Sequence, residues 1–401
     1  MKLILILSIL ILCIENQAKA FQYSSLSDTL IIKSQKEKGY GLFIDFASGH
    51  DINFVDTSEI LHNHLKYPVN ISNIKVGYEI VDFKYYNSKK YKAGNIDPFN
   101  IPSEKDNSIF IMKGIKDRQH IYIIDANSNC DFRDDSILQY NKNAFETITK
   151  VKYKIFNGLK LIEDSSWCAT PSFDGNELTF FITHHLSSEF CIDKDRFKIG
   201  AIAKNNSGFT FDKPVISLIS ENDSSKDKLL TEDIIDKGEY IKLGKDFYQF
   251  ADISNDGKYI TLIREYHFDK KIGIQKGMIT PSFKVESTNG TIFNNNNNNN
   301  LKNRLFLLAN VSACNSDSHE AYNNLYEAKK ESFTLIGIEY GVEAAERLKG
   351  IVIVSNDNIN NDFYLKYRKE PSDYTCYLID TSGRIIEKFR IFEWESVLKK
   401  Y

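Results

Sequence analysis

The sequence predicts a multidomain protein: a β-rich, sandwich-like N-terminal region followed by a C-terminal α/β domain. Three observations carry this expectation. Short runs of β-branched and aromatic residues, bounded by Gly, Asn, Asp and Ser, recur from Phe21 to Gln275. A tract of asparagines then occupies 294–300, and such polar tracts form loops because they have no apolar surface to bury. Beyond it, apolar strand-like runs alternate with helix-like segments, the pattern of a small α/β domain.

Composition sets the outer limits. With 401 residues the chain holds two or three domains at roughly 100–200 residues each. It is 42% hydrophobic and 13% aromatic, enough to build cores, which excludes global disorder. Lys+Arg total 51 against 54 Asp+Glu, for a net charge of −3. That balance argues against a nucleic-acid partner, which calls for a basic face.

The first element is an address. Met1-Lys2 opens the chain, 3–14 is almost wholly apolar, and Ala18-Lys19-Ala20 follows. This is the layout of a secretory signal peptide over 1–20, with Phe21 as the mature start. The apolar run is too short to cross a bilayer core of about 30 Å as a helix. An uncleaved anchor and a lipid anchor at Cys13 are the alternatives. No later segment is apolar enough to span, so no transmembrane span is expected after cleavage. The expected location is exported, either periplasmic or secreted.

Export places the cysteines in an oxidising compartment. Cys130, Cys168, Cys191, Cys314 and Cys376 remain after cleavage, an odd number, so at least one has no partner within the chain. Cys168 and Cys191 flank strand-like segments, and a disulfide between them is expected.

Strands are expected at 41–46, 109–112, 120–124, 178–182 and 259–263. Stretches beginning near Ile121, Phe197 and Phe247 each read as strand, polar turn, strand, the hairpins of sandwich-like units. A polar gap at 143–149 divides the region into 21–145 and 146–274. Within the first hairpin, Asp125, Asn127, Asn129 and Asp131 alternate, and Asp134 and Asp135 follow. Alternating oxygen ligands in a tight loop suit calcium, which takes six to eight of them. Cys130 stands where such loops carry glycine, Ser136 replaces the closing Glu, and no helices flank the loop. The segment is therefore a β-hairpin calcium loop or a solvated turn. No cofactor is expected, unless this loop takes up calcium.

Other signals are set aside. His62, His64, His184 and His185 lack zinc-type spacing and read as surface histidines. Trp167-Cys168 has no second cysteine nearby and reads as a strand end. There is no Gly-rich phosphate loop and no nucleophile elbow.

The C-terminal elements read in order as strand 305–308, helix 318–330, strand 333–338, helix 343–349, strand 351–354 and helix 362–368. A hairpin of 376–380 and 385–389 turns at Ser382-Gly383, and a helix closes the chain at 394–401. Pro281-Ser282-Phe283, Asn289-Gly290-Thr291, the 301–308 run, the Cys314 to Glu320 stretch and the Tyr377 to Ile385 hairpin follow one another in a recognisable order. Together they resemble the exported thioredoxin-like family of the TlpA and ResA type over 275–401. The resemblance implies a thioredoxin-like domain with thiol–disulfide oxidoreductase ancestry. It puts Cys314 at the attacking position, Asp317 at the resolving-cysteine position, Ala313 at the family's Trp, and Tyr374 at the cis-proline position, with Pro371 the nearest proline. A dithiol enzyme needs a second thiol to resolve its mixed disulfide, and Asp317 cannot serve. Three readings follow: a non-catalytic redoxin-like protein that binds a protein partner, a monothiol oxidoreductase or isomerase acting through Cys314, and an envelope protein that binds calcium or glycan.

Overall fold

The computed structural model describes residues 24–26, 28–46, 49–59, 65–82, 108–140, 148–172, 177–204, 208–211, 213–219, 234–295, 304–312, 314–354, 360–368 and 374–401. The expected signal peptide, His62, His64, Ala313, Pro371 and most of the polar gap at 143–149 lie outside these. The described residues form two compact units: those up to 219 together with 235–264, and residue 234 together with those from 265 to 401.

The first unit opens with β1 (Ser24–Leu26), β2 (Thr29–Lys33), β3 (Gln35–Lys38), β4 (Gly49–Asp51) and β5 (Val55–Asp56). Then come β6 (Ser72–Ile80), β7 (Ser108–Lys116), β8 (Gln119–Ile124), β9 (Ile137–Gln139), β10 (Ile148–Phe156), β11 (Leu161–Ala169) and β12 (Thr179–Ile182). It finishes with β13 (His184–Ile192), β14 (Asp195–Ala203), β15 (Pro214–Leu218), β16 (Ile235–Asp236), β17 (Tyr240–Leu243), β18 (Asp246–Ile253) and β19 (Tyr259–Glu265).

Four antiparallel sheets result, with orders β1-β2-β19-β18-β17, β16-β15-β14-β13-β3, β10-β11-β12-β4 and β5-β6-β7-β8-β9. The chain runs outward through all four, leaving β2, β3, β4 and β5 behind in turn, and then builds the sheets on its way back. Alternating apolar residues give each sheet a buried face. The β17–β19 and β13–β16 sheets share one apolar core around Phe250, Ile260, Leu186 and Ile199. The β6–β8 and β10–β12 sheets share another around Ile109, Ile111, Val151 and Phe180. The region is β-rich, as expected, and its sheets pair over shared apolar cores.

Between these two apolar cores lies a polar seam. Lys36 of β3 donates to Asp164 of β11 at 2.5 Å and to the Tyr153 hydroxyl at 2.9 Å. Ser166 Oγ and His184 Nδ1 are 2.5 Å apart, both residues buried. Burial pushes the Lys36 ammonium below its ordinary range, against the pull of Asp164. Burial, then the Lys36 charge, hold His184 well below its usual value, so it is neutral.

Several expectations change here. The chain does not divide near 145: β3 and β4 pair with strands from the second expected half, so one compact unit spans both. Residues 41–46 form 3-10 turns, not a strand. Gly39 and Gly41 both take positive φ, which breaks the extended backbone. The expected Cys168–Cys191 bridge is not formed. Both are free thiols, Cys168 buried at the end of β11 and Cys191 exposed on β13 of a different sheet. His184 is a seam residue, not a surface one, while its neighbour His185 turns the other way to meet the Gly39 carbonyl.

The second unit carries β20 (Lys284–Glu286), β21 (Ile292–Asn294), β22 (Phe306–Asn310), α1 (Ser316–Lys329), β23 (Thr334–Glu339) and α2 (Val342–Ala345). β24 (Ile351–Val354), α3 (Asn361–Tyr367), β25 (Thr375–Ile379), β26 (Ile385–Arg390) and α4 (Trp394–Val397) complete it. The central sheet has order β24-β23-β22-β25-β26, with β22, β23 and β24 parallel and β25–β26 an antiparallel hairpin. One face packs on α1 and the C-terminal turns through Leu307, Tyr322, Leu325 and Leu398. The other packs on α3 and the β20–β21 hairpin through Phe283, Phe293, Ile336 and Phe363. A parallel βαβ unit joined to a C-terminal hairpin, with helices on both faces, is the thioredoxin-like arrangement.

The seam sets a stability prediction. Asp164→Ala leaves the Lys36 ammonium buried without its carboxylate, and is expected to lower stability by about 3–5 kcal/mol. The double replacement Lys36→Met with Asp164→Leu should restore most of that loss. Denaturant unfolding checks both, and a neutral single variant would refute the role of the pair. His184 adds a pH dependence. Its folded pKa is depressed, so its contribution is present above the unfolded value of about 6.5 and declines as pH falls below it.

Candidate functional site

The candidate site lies at the carboxyl end of β22. The chain leaves the sheet through buried Val311 and Ser312 and reaches Cys314, which is exposed. Asn315 caps α1, its side chain accepting the Asp317 N–H at 3.0 Å. Ser318 anchors the turn from below. Its hydroxyl accepts the Ser312 N–H at 3.1 Å and donates to the Asn315 carbonyl at 2.7 Å. The Cys314 N–H donates to Ser312 Oγ at 3.3 Å. Cys314 therefore sits just before a capped helix N-terminus, and Asp317 stands exposed in the first turn, where the helix dipole favours a carboxylate.

No disulfide joins the described cysteines. Cys376, the other thiol of this unit, is fully buried on β25 opposite Ala309. Tyr374 precedes that strand and is half-buried. Its carbonyl accepts the Ile391 N–H at 2.9 Å, and its ring lies 5.5 Å from Phe392. No cis peptide bond occurs among the described residues. The structure thus brings Cys314 and Asp317 into one turn and seats Tyr374 at the same end of the sheet.

Under this end lies a polar floor that pattern reading missed. Glu339 closes β23 and is buried, with Oε2 2.5 Å from His319 Nε2 of α1. Arg368 is fully buried and donates to the Ile338 carbonyl at 2.7 Å. Asn310, at the end of β22, donates to the Tyr367 and Thr375 carbonyls at 2.9 and 2.8 Å. These bonds tie the ends of β22, β23 and α3 and the start of β25 together. The one signal in the sequence is position: Glu339 and Asn310 each terminate an apolar strand run.

Exposed apolar side chains gather at the same end. Tyr340 and Val342 follow the carboxyl end of β23, which is parallel to β22. Phe392 follows β26, whose end pairs with the start of β25. Chemically, a single exposed thiol can enter a mixed disulfide, but Asp317 offers no second sulfur to release it.

The expected calcium loop closes on itself. The Asp125 carboxylate accepts the Asn129 and Cys130 N–H groups at 3.0 and 2.9 Å. Cys130 takes φ 63, the left-handed conformation that glycine usually supplies. Asp134 accepts the side-chain amides of Asn127 and Asn129. Asp131 is held by Arg133 and Lys66. Asp135 is different: burial, and then the charges of Asp125, Asp134 and Asp131, push it up to about 6, and its Oδ2 is sealed without a hydrogen-bond partner. Among the described residues, no three His, Cys, Asp or Glu side chains are gathered as a metal site. No helix among them is long and apolar enough to cross a membrane.

No family model matches the chain. No curated protein matches it either. Some solved structures match part of the chain. A putative protein disulfide isomerase from Bacteroides thetaiotaomicron is 17% identical, covers 32% of this chain and 87% of its own, with TM-score 0.27. A thiol:disulfide interchange protein from Bacteroides sp. is 18% identical, with 32% and 90% covered and TM-score 0.27. A thioredoxin-like protein from Parabacteroides distasonis is 16% identical, with 32% and 98% covered and TM-score 0.25.

The exposure of the thiols is directly testable. In the native, non-reduced protein, Cys314 and Cys191 are expected to alkylate quickly, and Cys168 and Cys376 only after unfolding. Mass spectrometry of tryptic peptides reads this. A Cys314 found in a disulfide would overturn the site as described.

Proposed function

We propose that this is an exported thioredoxin-fold protein that recognises a protein partner through the end of the fold bearing Cys314, without dithiol exchange. The observation that carries the reading is an exposed Cys314 just ahead of α1 with Asp317 in the helix's first turn, while Cys376 is sealed in the sheet. The exposed Tyr340, Val342 and Phe392 at the same end support a contact surface. The charged start, apolar run and Ala18-Lys19-Ala20 of the sequence support export.

An insulin-reduction assay in the presence of dithiothreitol tests it. The wild type is expected to show no turnover above the uncatalysed rate. Asp317→Cys, which supplies the missing thiol, is expected to form an internal disulfide with Cys314 and to gain activity. Turnover by the wild type that Cys314→Ser abolishes would instead establish the monothiol enzyme.

The sealed Oδ2 of Asp135 favours a second reading, in which the loop from Asp125 to Asp135 takes up calcium. A cation there would relieve the crowding of Asp125, Asp134 and Asp135 and lower the Asp135 pKa from about 6. Isothermal titration is expected to show uptake well below about 1 mM, lost in Asp135→Asn. Uptake absent at millimolar calcium, or unchanged in the variant, would leave a solvated turn.

A further inference from the structure

Glu79 occupies a position that the strand pattern reserves for an apolar side chain. It lies on the face of β6 that also presents Gly77 and, just beyond the strand, Val81. That face enters the core containing Ile109, Cys168 and Phe180. The Glu79 side chain is 2% exposed, and its Oε1 is sealed with no hydrogen-bond partner. Oε2 lies 2.5 Å from His50 Nε2. An unpartnered carboxylate in such surroundings is costly, so the state of this carboxyl depends on His50.

His50 reaches Glu79 from another sheet. It is the middle residue of β4, only three residues long, and its side chain is 41% exposed. The pair therefore links a sealed acid to solvent. β4 edges the β10–β12 sheet, and β5 edges the β6–β9 sheet, so residues 49–56 strap the two edges together. The strap is also held by packing: Ile52 is buried in the same core with Phe54 against it, Val55 packs on the neighbouring core, and Lys75 meets Asp56 at 3.6 Å. Its Ile52 N–H donates to the Leu178 carbonyl at 3.0 Å, and Asp51 accepts from the Thr179 hydroxyl at 2.7 Å.

We propose that residues 49–56 form a pH-operated strap, seated while the His50–Glu79 pair holds its proton and loosened when that proton is lost. His50 is faced by Glu79 of β6, by Asp51 of its own strand and by the Phe180 ring. Glu79 is faced by His50 and by the Cys168 thiol of β11, which burial keeps protonated. The hydrogen bond that His50 donates to the Glu79 carboxylate raises the His50 pKa, and burial raises that of Glu79. A group whose folded pKa is raised contributes stability below its unfolded value and loses it as pH rises through the folded one. Both members shift the same way, so the seat weakens as pH rises, from above about 4.3 for Glu79 and from above about 6.5 for His50. A loosened strap uncovers the outer edges of β12 and β6, whose backbone groups would then be open to pairing.

Hydrogen exchange of the whole protein tests this, with amide rates for 49–56 normalised to the unfolded chain at each pH. Between pH 6 and 9 the wild-type protection of this segment is expected to fall, by up to a factor of ten for each pH unit between the open-state and the seated pKa and no further beyond it. Protection of β7 should stay level. Glu79→Gln keeps the shape and removes the charge, and is expected to flatten the dependence, as is His50→Gln. Level wild-type protection, or an unchanged slope in Glu79→Gln, would overturn the proposal. Should the variants fail to fold, the wild-type His50 imidazole titration by NMR decides: a midpoint above about 6.5 is expected, and one at or below it overturns the strap.

Discussion

Lys36 enters the space between two sheets of the first unit, where water cannot solvate its ammonium, and Asp164 meets it there. The same constraint recurs across the molecule. Glu79 is met by His50, Glu339 by His319, and the buried Glu387 carboxylate by Lys276 and Lys400. Each partner comes from a different strand, helix or turn. A buried ion that loses its partner is penalised far more than the pair gains over an apolar replacement. Such pairs therefore do little to raise stability and much to exclude alternatives. A slip of one residue in β3 or β6 would turn Lys36 or Glu79 to the opposite face and strand its partner. Register in this β-rich unit is tied to those contacts.

In the second unit the constraint separates support from chemistry. The floor of Asn310, His319, Glu339 and Arg368 binds the strand ends together whether or not a thiol pair stands above it. A thioredoxin-like scaffold built this way tolerates Asp317 in the helix turn without collapse. The carboxylate is exposed, lies in the first turn and faces the positive end of the helix dipole.

The second unit was largely legible in the sequence, because its elements are local. The strand 351–354 matches β24 in full, the α1 helix begins two residues before its expected start, and the hairpin around Ser382-Gly383 pairs as expected. The closing helix is only four residues long, continued by a 3-10 turn. In the first unit the strands at 109–112, 120–124, 178–182 and 259–263 were visible, but their grouping was not. Pairings such as Ile31 with Thr261 and Lys38 with His184 leave no trace in local periodicity. The split near 145 failed for this reason, since early strands complete late sheets. His184 was misread because a neutral buried histidine looks the same in sequence as a surface one. The polar floor and the Glu79 position carried only a weak signal, a charged residue in register with apolar ones.

The path of the chain explains why a titratable hold belongs on β4. Because β2, β3, β4 and β5 are laid down before the sheets they complete, each gains its neighbour only when the returning chain arrives. β2 waits for β19, β3 for β13 and β4 for β12. Long-range pairings of this kind form after local hairpins such as β10–β11, because loop closure must be met before contacts repay it. The early strands are therefore the segments with the least local support. β2 is flanked by strands on both sides and β3 is held through Lys36, whereas β4 has three residues, one open edge and His50. Local opening draws on the least supported segments first. Placing the proton-sensitive contact at β4 couples the shortest of these three late-formed pairings to pH.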